Sequence, residues 1–372
     1  MTVRNEETPP RGLQVLAINP GSTSTKVGWF EDGTEKWHST VSHDPEEISA
    51  FPTMADQFGF RMAAIEKACE EHGDHFRDLD AVVGRGGIVE PIPGGTYEVD
   101  EVMKAHLRRG KPWEHASNLG GILADAIAAP LKVPALIVDP VAVDEMDDVA
   151  RLTGLPELPK RSLLHALNVK ATVRRAARDL KGDWKEMDFV VAHLGGGITV
   201  CASRHGRIVD TNNGNEFGPF SPERAGGLPA GDLARLCFSG KYTMQDLRRR
   251  LVGKGGLVGY TGESDVRKVK ALIGNGDASA ALAYRAMAFQ VAKEIASFAV
   301  VLSGRMDAIL LTGGVAYDPD FVAMVTERVQ WIAPVLVYPG EDELAALAEG
   351  AMRVLRKEET PMRYGDFVKV EG

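Results

Sequence analysis

Short apolar runs that end in glycine or in a polar turn recur along this chain. Residues 15–18 (V-L-A-I) enter a hydroxyl-rich turn, 19–25, and a second extended run, 27–30, leaves it towards Asp32-Gly33. This pattern predicts a β-hairpin. The same plan returns at 189–206, F-V-V-A-H-L-G-G-G-I-T-V-C-A-S-R-H-G, where an apolar strand meets His193, Gly195, Gly196 and Gly197 before a β-branched strand carries the chain away. Two hairpins of one design, roughly half a chain apart, predict a duplicated α/β domain in which each copy offers one anion-binding loop to a shared cleft.

The remaining pattern fills in both copies. Residues 32–40 continue as a third strand, and 48–72 place Phe58, Met62, Ile65, Ala68 and Cys69 at helical spacing. Residues 79–83 form a buried strand ending in G-R-G-G, which puts Arg85 at a strand's carboxyl end, where open α/β sheets bind ligands. A helix opens near His115-Ala116-Ser117-Asn118, with Ser117 or Asn118 as its N-cap, and is expected to stop at Pro130. Residues 135–138 are another buried strand, with Asp139 at its end. His165 falls at the domain transition, just before a basic helix, 169–180.

In the second half, 212–232 is a Gly- and Pro-rich loop too long to be idle in a compact domain. Residues 278–302 are Ala-rich and helical with apolar residues on more than one side, which marks an internal helix. Residues 308–317, A-I-L-L-T-G-G-V-A-Y, are a buried strand running into two glycines and then a helix, 319–332. Glycines at such a turn let a nucleotide lie against bare backbone. A strand at 335–338 precedes a last helix opened by Asp342 and Glu343, acids that would by themselves be dipole partners.

Composition narrows the classes. The 372 residues suit two domains, and a net charge of −9, spread without long blocks, does not describe a nucleic-acid surface. Cys69, Cys201 and Cys237 fit neither a disulfide framework nor a metal knuckle. The polar stretch 1–12 lacks an apolar signal-type segment, and no run is long enough to span a bilayer, so a cytoplasmic location is expected. The tip of the first hairpin is the chemically distinctive part. Gly21 lets backbone N–H groups approach a ligand, Ser22, Thr23, Ser24 and Thr25 add hydroxyls, and Lys26 adds charge. Those are the parts of a phosphate cradle.

The motifs N-P-G-S-T-S-T-K (19–26), G-R-G-G (84–87), H-A-S-N-L-G (115–120), H-A-L-N (165–168), H-L-G-G-G-I-T-V (193–200), G-P-F-S-P-E-R-A-G (218–226), L-T-G-G-V-A-Y-D (311–318) and Y-P-G-E-D-E-L (338–344) extend over nearly the whole chain. Together they resemble the butyrate kinases of the acetokinase family, within the actin, heat-shock chaperone and sugar-kinase superfamily. The resemblance implies two duplicated actin-like (ribonuclease H-like) ATPase domains flanking a nucleotide cleft, 1–165 and 166–345, with a C-terminal helix, 346–372, packing back on the first. It implies ATP and Mg²⁺ as cofactors and a reversible transfer that makes butyryl phosphate, or a branched relative, from the carboxylate. Acetate or propionate is the alternative substrate. It also implies a homodimer or higher homo-oligomer. The residue types suit that chemistry, because a carboxylate is ionised at pH 7 and needs no general base. The obstacle is repulsion between two anions, which fixed cations and donors must offset.

Position by position, resemblance to acetate kinase implies that Asn19 and Glu343 place Mg²⁺, with Asp342 competing for the latter role. Arg85 would pair the substrate carboxylate, His115 and His165 would donate to the transferring phosphoryl group, and Asp139 would orient the metal-bound water or phosphoryl. Ser22, Ser24 and Lys26, with His193, Gly195, Gly196 and Gly197, would hold phosphates. Asp265, Val266 and Arg267, with Gly313, Gly314, Val315, Ala316 and Tyr317, would line the adenosine pocket. One departure stands out: the second arginine that acetate kinase carries ahead of a G-D-L tripeptide is missing, since Pro229 and Ala230 precede Gly231-Asp232-Leu233. Arg224 is the candidate to supply its charge, and Pro20, replacing a serine, favours the butyrate branch. A nucleotide-switched binding protein of actin type is the competing reading, and would need a peptide-binding domain or polymer contacts. A dinucleotide-dependent dehydrogenase fails, because the glycines at 84–87 do not form G-x-G-x-x-G with a suitably placed acid.

Overall fold

The computed structural model describes residues 11–110 and 114–368. Most of the stretch read as lacking a signal segment, 1–10, and the last residues, 369–372, lie outside the described residues; the helix expected over 346–372 is Glu343–Leu355, and the chain then leaves it for the short strand Met362–Arg363. Among the described residues, twelve strands numbered in chain order make two sheets. The first holds β1 (Gln14–Pro20), β2 (Ser24–Glu31), β3 (Thr34–Ser42), β4 (Ala81–Arg85), β5 (Thr96–Glu98), β6 (Ala135–Val138) and, in chain order last, β12 (Met362–Arg363). The second holds β7 (Asp188–Leu194), β8 (Ile198–Arg204), β9 (Arg207–Thr211), β10 (Ala308–Gly313) and β11 (Val335–Pro339).

The two sheets repeat one topology. Their orders run β3-β2-β1-β4-β6 and β9-β8-β7-β10-β11, and β5 and β12 extend only the first. In each, the first three strands are joined antiparallel, and the hairpin's leading strand then pairs in parallel with the fourth and the fourth with the fifth. The duplication expected from two matching hairpins is therefore a duplication of whole sheets.

Burial explains why the leading strands read as unbroken apolar runs. Every residue of β1 is buried, with the helices Asn118–Leu131 and Glu343–Leu355 both in contact with it. In the second sheet the pleat divides the strands between two cores. Val190, Ala192, Leu194, Ile309 and Leu311 pack with the helix Ala278–Val301, while Phe189, Val191, Ala308 and Leu310 pack with the helix Ala166–Asp179.

The chain divides into two compact units. One comprises the segments up to Glu90, Gly95–Pro140 and from Glu343 onward; the other comprises Pro91–Gly94 and Val141–Asp342. The boundary sought near 165 thus falls at 140/141, because Val143 packs in the second core and Asp147 N–H donates to Val209. Other differences are local. The helix expected over 48–72 is two helices, Pro45–Ser49 and Phe58–Glu71, since Pro52 pushes the preceding residue out of the α region. Pro130 does not stop its helix, which runs to Leu131 and ends where Lys132 turns left-handed at φ 58°. The helix Ala278–Val301 has its expected core face, but Leu282, Phe289 and Val300, at spacings of seven and eleven, form an exposed apolar stripe. Cys69 and Cys201 are buried, with burial pushing each thiol up to about 12, and Cys237 is exposed. Among the described residues no helix is long and apolar enough to cross a membrane.

Candidate active site

The first unit gathers chemistry along the carboxyl edge of three adjacent parallel strands. Ile18 of β1 lies beside Gly84 of β4, and Arg85 lies beside Val138 of β6. Asn19, Arg85 and Asp139 are therefore neighbours at consecutive strand ends. Glu343, the first residue of the helix Glu343–Leu355, closes the group: its carboxylate accepts from Asn19 Nδ2 and pairs with Arg85 Nη1. Of the two acids that open this helix, Glu343 is the one joined to Asn19. The glycines around Arg85 have a packing reason. A Cβ at Gly84 would stand 2.0 Å from the Gly120 carbonyl oxygen and one at Gly87 would stand 2.4 Å from Asn118 Oδ1, so strand end and helix start touch through bare backbone.

That contact reassigns the expected caps. Ser117 occupies the N-cap position without a side-chain capping bond, and Asn118 Oδ1 instead accepts from Ile88 N–H at 2.8 Å. Ser117 serves His115: its N–H donates to Nδ1 at 3.2 Å and its hydroxyl lies 2.8 Å from the same nitrogen. An accepting Nδ1 puts the neutral ring's proton on Nε2. Partial desolvation, then the charges of Arg85 and Arg61, lower the His115 pKa below the ordinary histidine value. Asp139 is buried at 1% exposure, with Oδ1 accepting from Gly95 N–H at 2.7 Å and the backbone at φ 39°, a left-handed conformation uncommon outside glycine.

At the first hairpin tip, Asn19 sits opposite Lys26 and Pro20 opposite Thr25. Ser22, Thr23 and Lys26 are exposed and Ser24 is half-buried. Thr25 is not the outward donor expected: its hydroxyl is fully buried, 2.7 Å from His43 Nε2, and it accepts from Arg61 Nη1 at 2.9 Å. Strand alternation turns residue 25 inward and residue 26 outward.

The second unit builds its counterpart at the β7–β8 tip. His193, 1% exposed, donates from Nδ1 to Asn168 Oδ1 at 2.8 Å, and its ring stacks on His165 with centroids 4.0 Å apart. His165 stands at the start of the helix Ala166–Asp179, with Nδ1 2.9 Å from Thr199 Oγ1. Asn168 was not singled out in the sequence, although its place in H-A-L-N, one helical turn after His165, was the available signal. The segment 221–224 is stitched to the glycine turn, since Ser221 Oγ donates to the Gly196 carbonyl at 2.6 Å and Glu223 N–H to the same oxygen at 3.2 Å. Arg224 lies against that turn, where a Cβ on Gly197 would stand 2.1 Å from Nη1. Gly231, Asp232 and Leu233, by contrast, sit in the helix Ala230–Cys237, which buries none of its residues. The arginine beside the glycine turn is Arg224.

A cavity of about 640 Å³ opens beside this turn, lined by Gly195 and Gly196, Asp265, Val266 and Arg267, and Gly314, Val315 and Tyr317, among others. Three segments remote in sequence thus meet at one space. Asp265 caps the helix Val266–Gly274 by accepting from Arg267 N–H, and the Arg267 side chain, hydrogen-bonded to it, holds that carboxyl down at about 2. Gly313, at φ 88°, packs its Cα against the Leu194 backbone, where a Cβ would stand 2.5 Å from the carbonyl oxygen. Ala316 is buried in the turn behind. Of two further lining residues, Asp318 closes the L-T-G-G-V-A-Y-D motif and Lys270 had no motif to mark it: Lys270 pairs with Asp318 at 2.7 Å, and Asp318 in turn accepts from Tyr284.

Residues 160–337 match the model of the acetokinase family. Acetate kinase from Porphyromonas gingivalis is similar in structure, with a TM-score of 0.75, 20% identity, and coverage of 92% of this chain and 100% of that one. A propionate kinase from Francisella tularensis subsp. tularensis gives 0.72 at 18% identity, covering 91% and 98%. Acetate kinase from Entamoeba histolytica gives 0.70 at 17% identity over the same shares. At these identities the likeness establishes the fold, two actin-like α/β units of the acetate kinase kind.

Proposed function

We propose that this chain is an ATP-dependent short-chain carboxylate kinase that transfers a phosphoryl group reversibly between ATP and butyrate, or a branched relative such as isobutyrate. The observation that carries the reading is the convergence of the glycine turn, the Asp265–Val266–Arg267 stretch and the Gly314–Tyr317 turn on one cavity of nucleotide size. Arg85 at the edge of the first sheet supports the acyl half of the reaction. In the forward step a carboxylate oxygen attacks the γ-phosphorus, the new O–P bond forms as the bond to the β,γ-bridging oxygen breaks, and ADP leaves with the electron pair. No proton has to be removed from the nucleophile.

The roles are those that the resemblance implies, and the donor chemistry suits them. Arg85 would hold the carboxylate, and its five N–H donors allow it to keep Glu343 as well. Lys26, Ser22 and Ser24 in the first unit, and His193 with Gly195 to Gly197 in the second, would hold phosphate oxygens. His115 and His165 would donate to the transferring group, Asp139 would fix the strand end from which it is oriented, and Arg224 would supply the second guanidinium. Asn19 and Glu343 fit Mg²⁺, which takes one or two protein oxygens and fills its shell with phosphates and water. Among the described residues no group of three His, Cys, Asp or Glu could form a closed protein cage. When bound, the ion would neutralise charge on the phosphates. The exposed stripe of Leu282, Phe289 and Val300 supports self-association of the chain, and the composition supports a cytoplasmic site of action.

Two measurements test the reading. Hydroxylamine trapping with acetate, propionate, butyrate and isobutyrate is expected to yield hydroxamate, with butyrate or isobutyrate preferred. Two extra methylenes at about 0.8 kcal/mol each allow a preference of only roughly tenfold to twentyfold over acetate. A preference for acetate would overturn the choice of acyl group, and no hydroxamate with any of the four would overturn the kinase. The second concerns His115. As a neutral Nε2–H donor with a lowered pKa, it should keep turnover level as the pH is brought down through the ordinary histidine value of 6.5, bending only further into acid. A bend at that ordinary value that disappears in His115→Gln would contradict the assigned tautomer and role.

A further inference from the structure

Arg61 belongs to no motif, yet it is the best-buried charged side chain near the first hairpin tip. It lies on the helix Phe58–Glu71 at 0% exposure. Its guanidinium is saturated by neutral acceptors. Nη1 donates to the Ser24 carbonyl at 3.1 Å and to Thr25 Oγ1 at 2.9 Å; Nη2 donates to the Gly21 carbonyl at 2.9 Å and to Gln57 Oε1 at 2.9 Å; Nε donates to the same Gln57 oxygen at 3.0 Å. Among the described residues no carboxylate pairs with it, and burial alone lowers its pKa.

A staple between helix and hairpin does not require a charge, and burying one without a counter-ion is costly. The neighbourhood gives the charge a use. Gly21 and Ser24 turn their carbonyls onto Arg61, Ser24 also accepts from Gly21 N–H, and Thr23 gives its carbonyl to His43 N–H. The tip's negative backbone ends are thereby drawn into the protein. Its outer side is left to the exposed Ser22, Thr23 and Lys26. A fixed positive charge behind, inward carbonyls and outward hydroxyls make a surface biased towards an anion.

We propose that Arg61 is a positioning residue for the first hairpin tip, holding residues 21–24 in an anion-accepting conformation and acting as the buried counter-charge for a phosphoryl group bound there. The proposal deepens the kinase reading and rests on it for the identity of the phosphoryl donor. Two variants separate charge from geometry. Arg61→Lys keeps the charge but cannot span the fork's acceptors, and Arg61→Met removes both.

The probe is inorganic phosphate, and the readout is hydrogen exchange of the peptide covering 19–26 with and without it, alongside KM for ATP and for butyrate. In the wild type, phosphate should slow exchange in that peptide. In Arg61→Lys that slowing should be lost and KM for ATP should rise at least tenfold, with KM for butyrate within twofold of wild type. A merely structural staple would raise exchange in both conditions, lower the melting temperature and leave the phosphate response and both KM values in place, which overturns the proposal. So does a wild-type peptide that phosphate does not protect. Should Arg61→Met fail to fold, Arg61→Lys decides the question. Should the wild type make no acyl phosphate, the kinase reading falls, while the phosphate protection and its loss in Arg61→Lys still decide the role of Arg61.

Discussion

Arg85→Ala is expected to lower kcat/KM for the carboxylate by about two to three orders of magnitude, or roughly 2.7–4 kcal/mol, the usual consequence of deleting a fixed donor to developing charge in a dry site. The structural ground is its position at the end of β4, between the ends of β1 and β6, with its guanidinium on Glu343. Two effects combine in the variant. The substrate carboxylate loses a planar partner, and Glu343 loses a cation and keeps only the Asn19 amide, so its negative charge stands nearer to an incoming anion. Arg85→Lys should recover part of the loss, because an ammonium supplies charge without the fork. ADP affinity, measured by calorimetry, should change by less than threefold in both variants, since the cavity at Gly195, Asp265 and Gly314 contains no residue of this cluster. A kcat/KM for butyrate within fivefold of wild type in Arg85→Ala would remove Arg85 from the acyl site.

The contrast between Arg85 and Glu343 marks what can be read from a chain. The place of Arg85 was legible because a buried strand ending in glycines announces its carboxyl end. The places of Asn19 and His193 were legible for the same reason, each at the turn of a repeated hairpin, and the duplicated sheet topology follows from that repeat. Glu343, read locally, is an acid in a first helical turn with an ordinary dipole role. Its partner is 324 positions away, and no local pattern encodes that meeting. Arg61 was hidden for a related reason: an arginine in an amphipathic helix reads as solvent-facing, and only tertiary packing turns it inward. Thr25 was misread although its signal was present, since β-alternation from the exposed Lys26 already places residue 25 inside. The glycines at 84 and 87 and at 120 reflect backbone contact between strand and helix, a packing demand that a sequence cannot separate from a ligand's demand for space. The boundary at 140/141 escaped because the segment after it has only one short helix, Asp148–Arg151, too short for its pattern to reveal which core it joins.

Breaking the pair between Glu145 and Lys170 is expected to cost the second unit about 3–5 kcal/mol of stability, because truncating one partner strands the other charge in the interior. Both side chains are nearly sealed, at 9% and 8% exposure, and Lys170 Nζ donates to both carboxylate oxygens and to the Gly206 carbonyl. Glu145 also accepts from Gly94 N–H at 2.9 Å and Ile208 N–H at 2.8 Å, so one carboxylate ties the crossing segment Pro91–Gly94 to β9. A side chain at position 94 would intrude, since a Cβ would stand 2.3 Å from Lys170 Cε. Burial alone would raise the Glu145 pKa, but the Lys170 charge and the bonds from Ile208, Lys170 and Gly94 outweigh it and hold the carboxyl below its ordinary value of 4.5. The sign follows: the stabilisation is complete above that ordinary value and is lost as the pH falls through the lower value of the folded state. Glu145→Leu, which leaves an ammonium and two N–H groups without their acceptor, should lower the melting temperature by roughly 6–20 °C for a unit of this size. Lys170→Met should cost less, since the carboxylate keeps two backbone donors. The double variant should lie nearer to wild type than Glu145→Leu alone, because an apolar pair of similar volume avoids the desolvation of both ions. Denaturant melts of the four proteins at neutral pH test the cycle. Additive losses, with the double variant as unstable as the two singles summed, would mean that the pair is not coupled and that Glu145 acts only as an acceptor for the backbone.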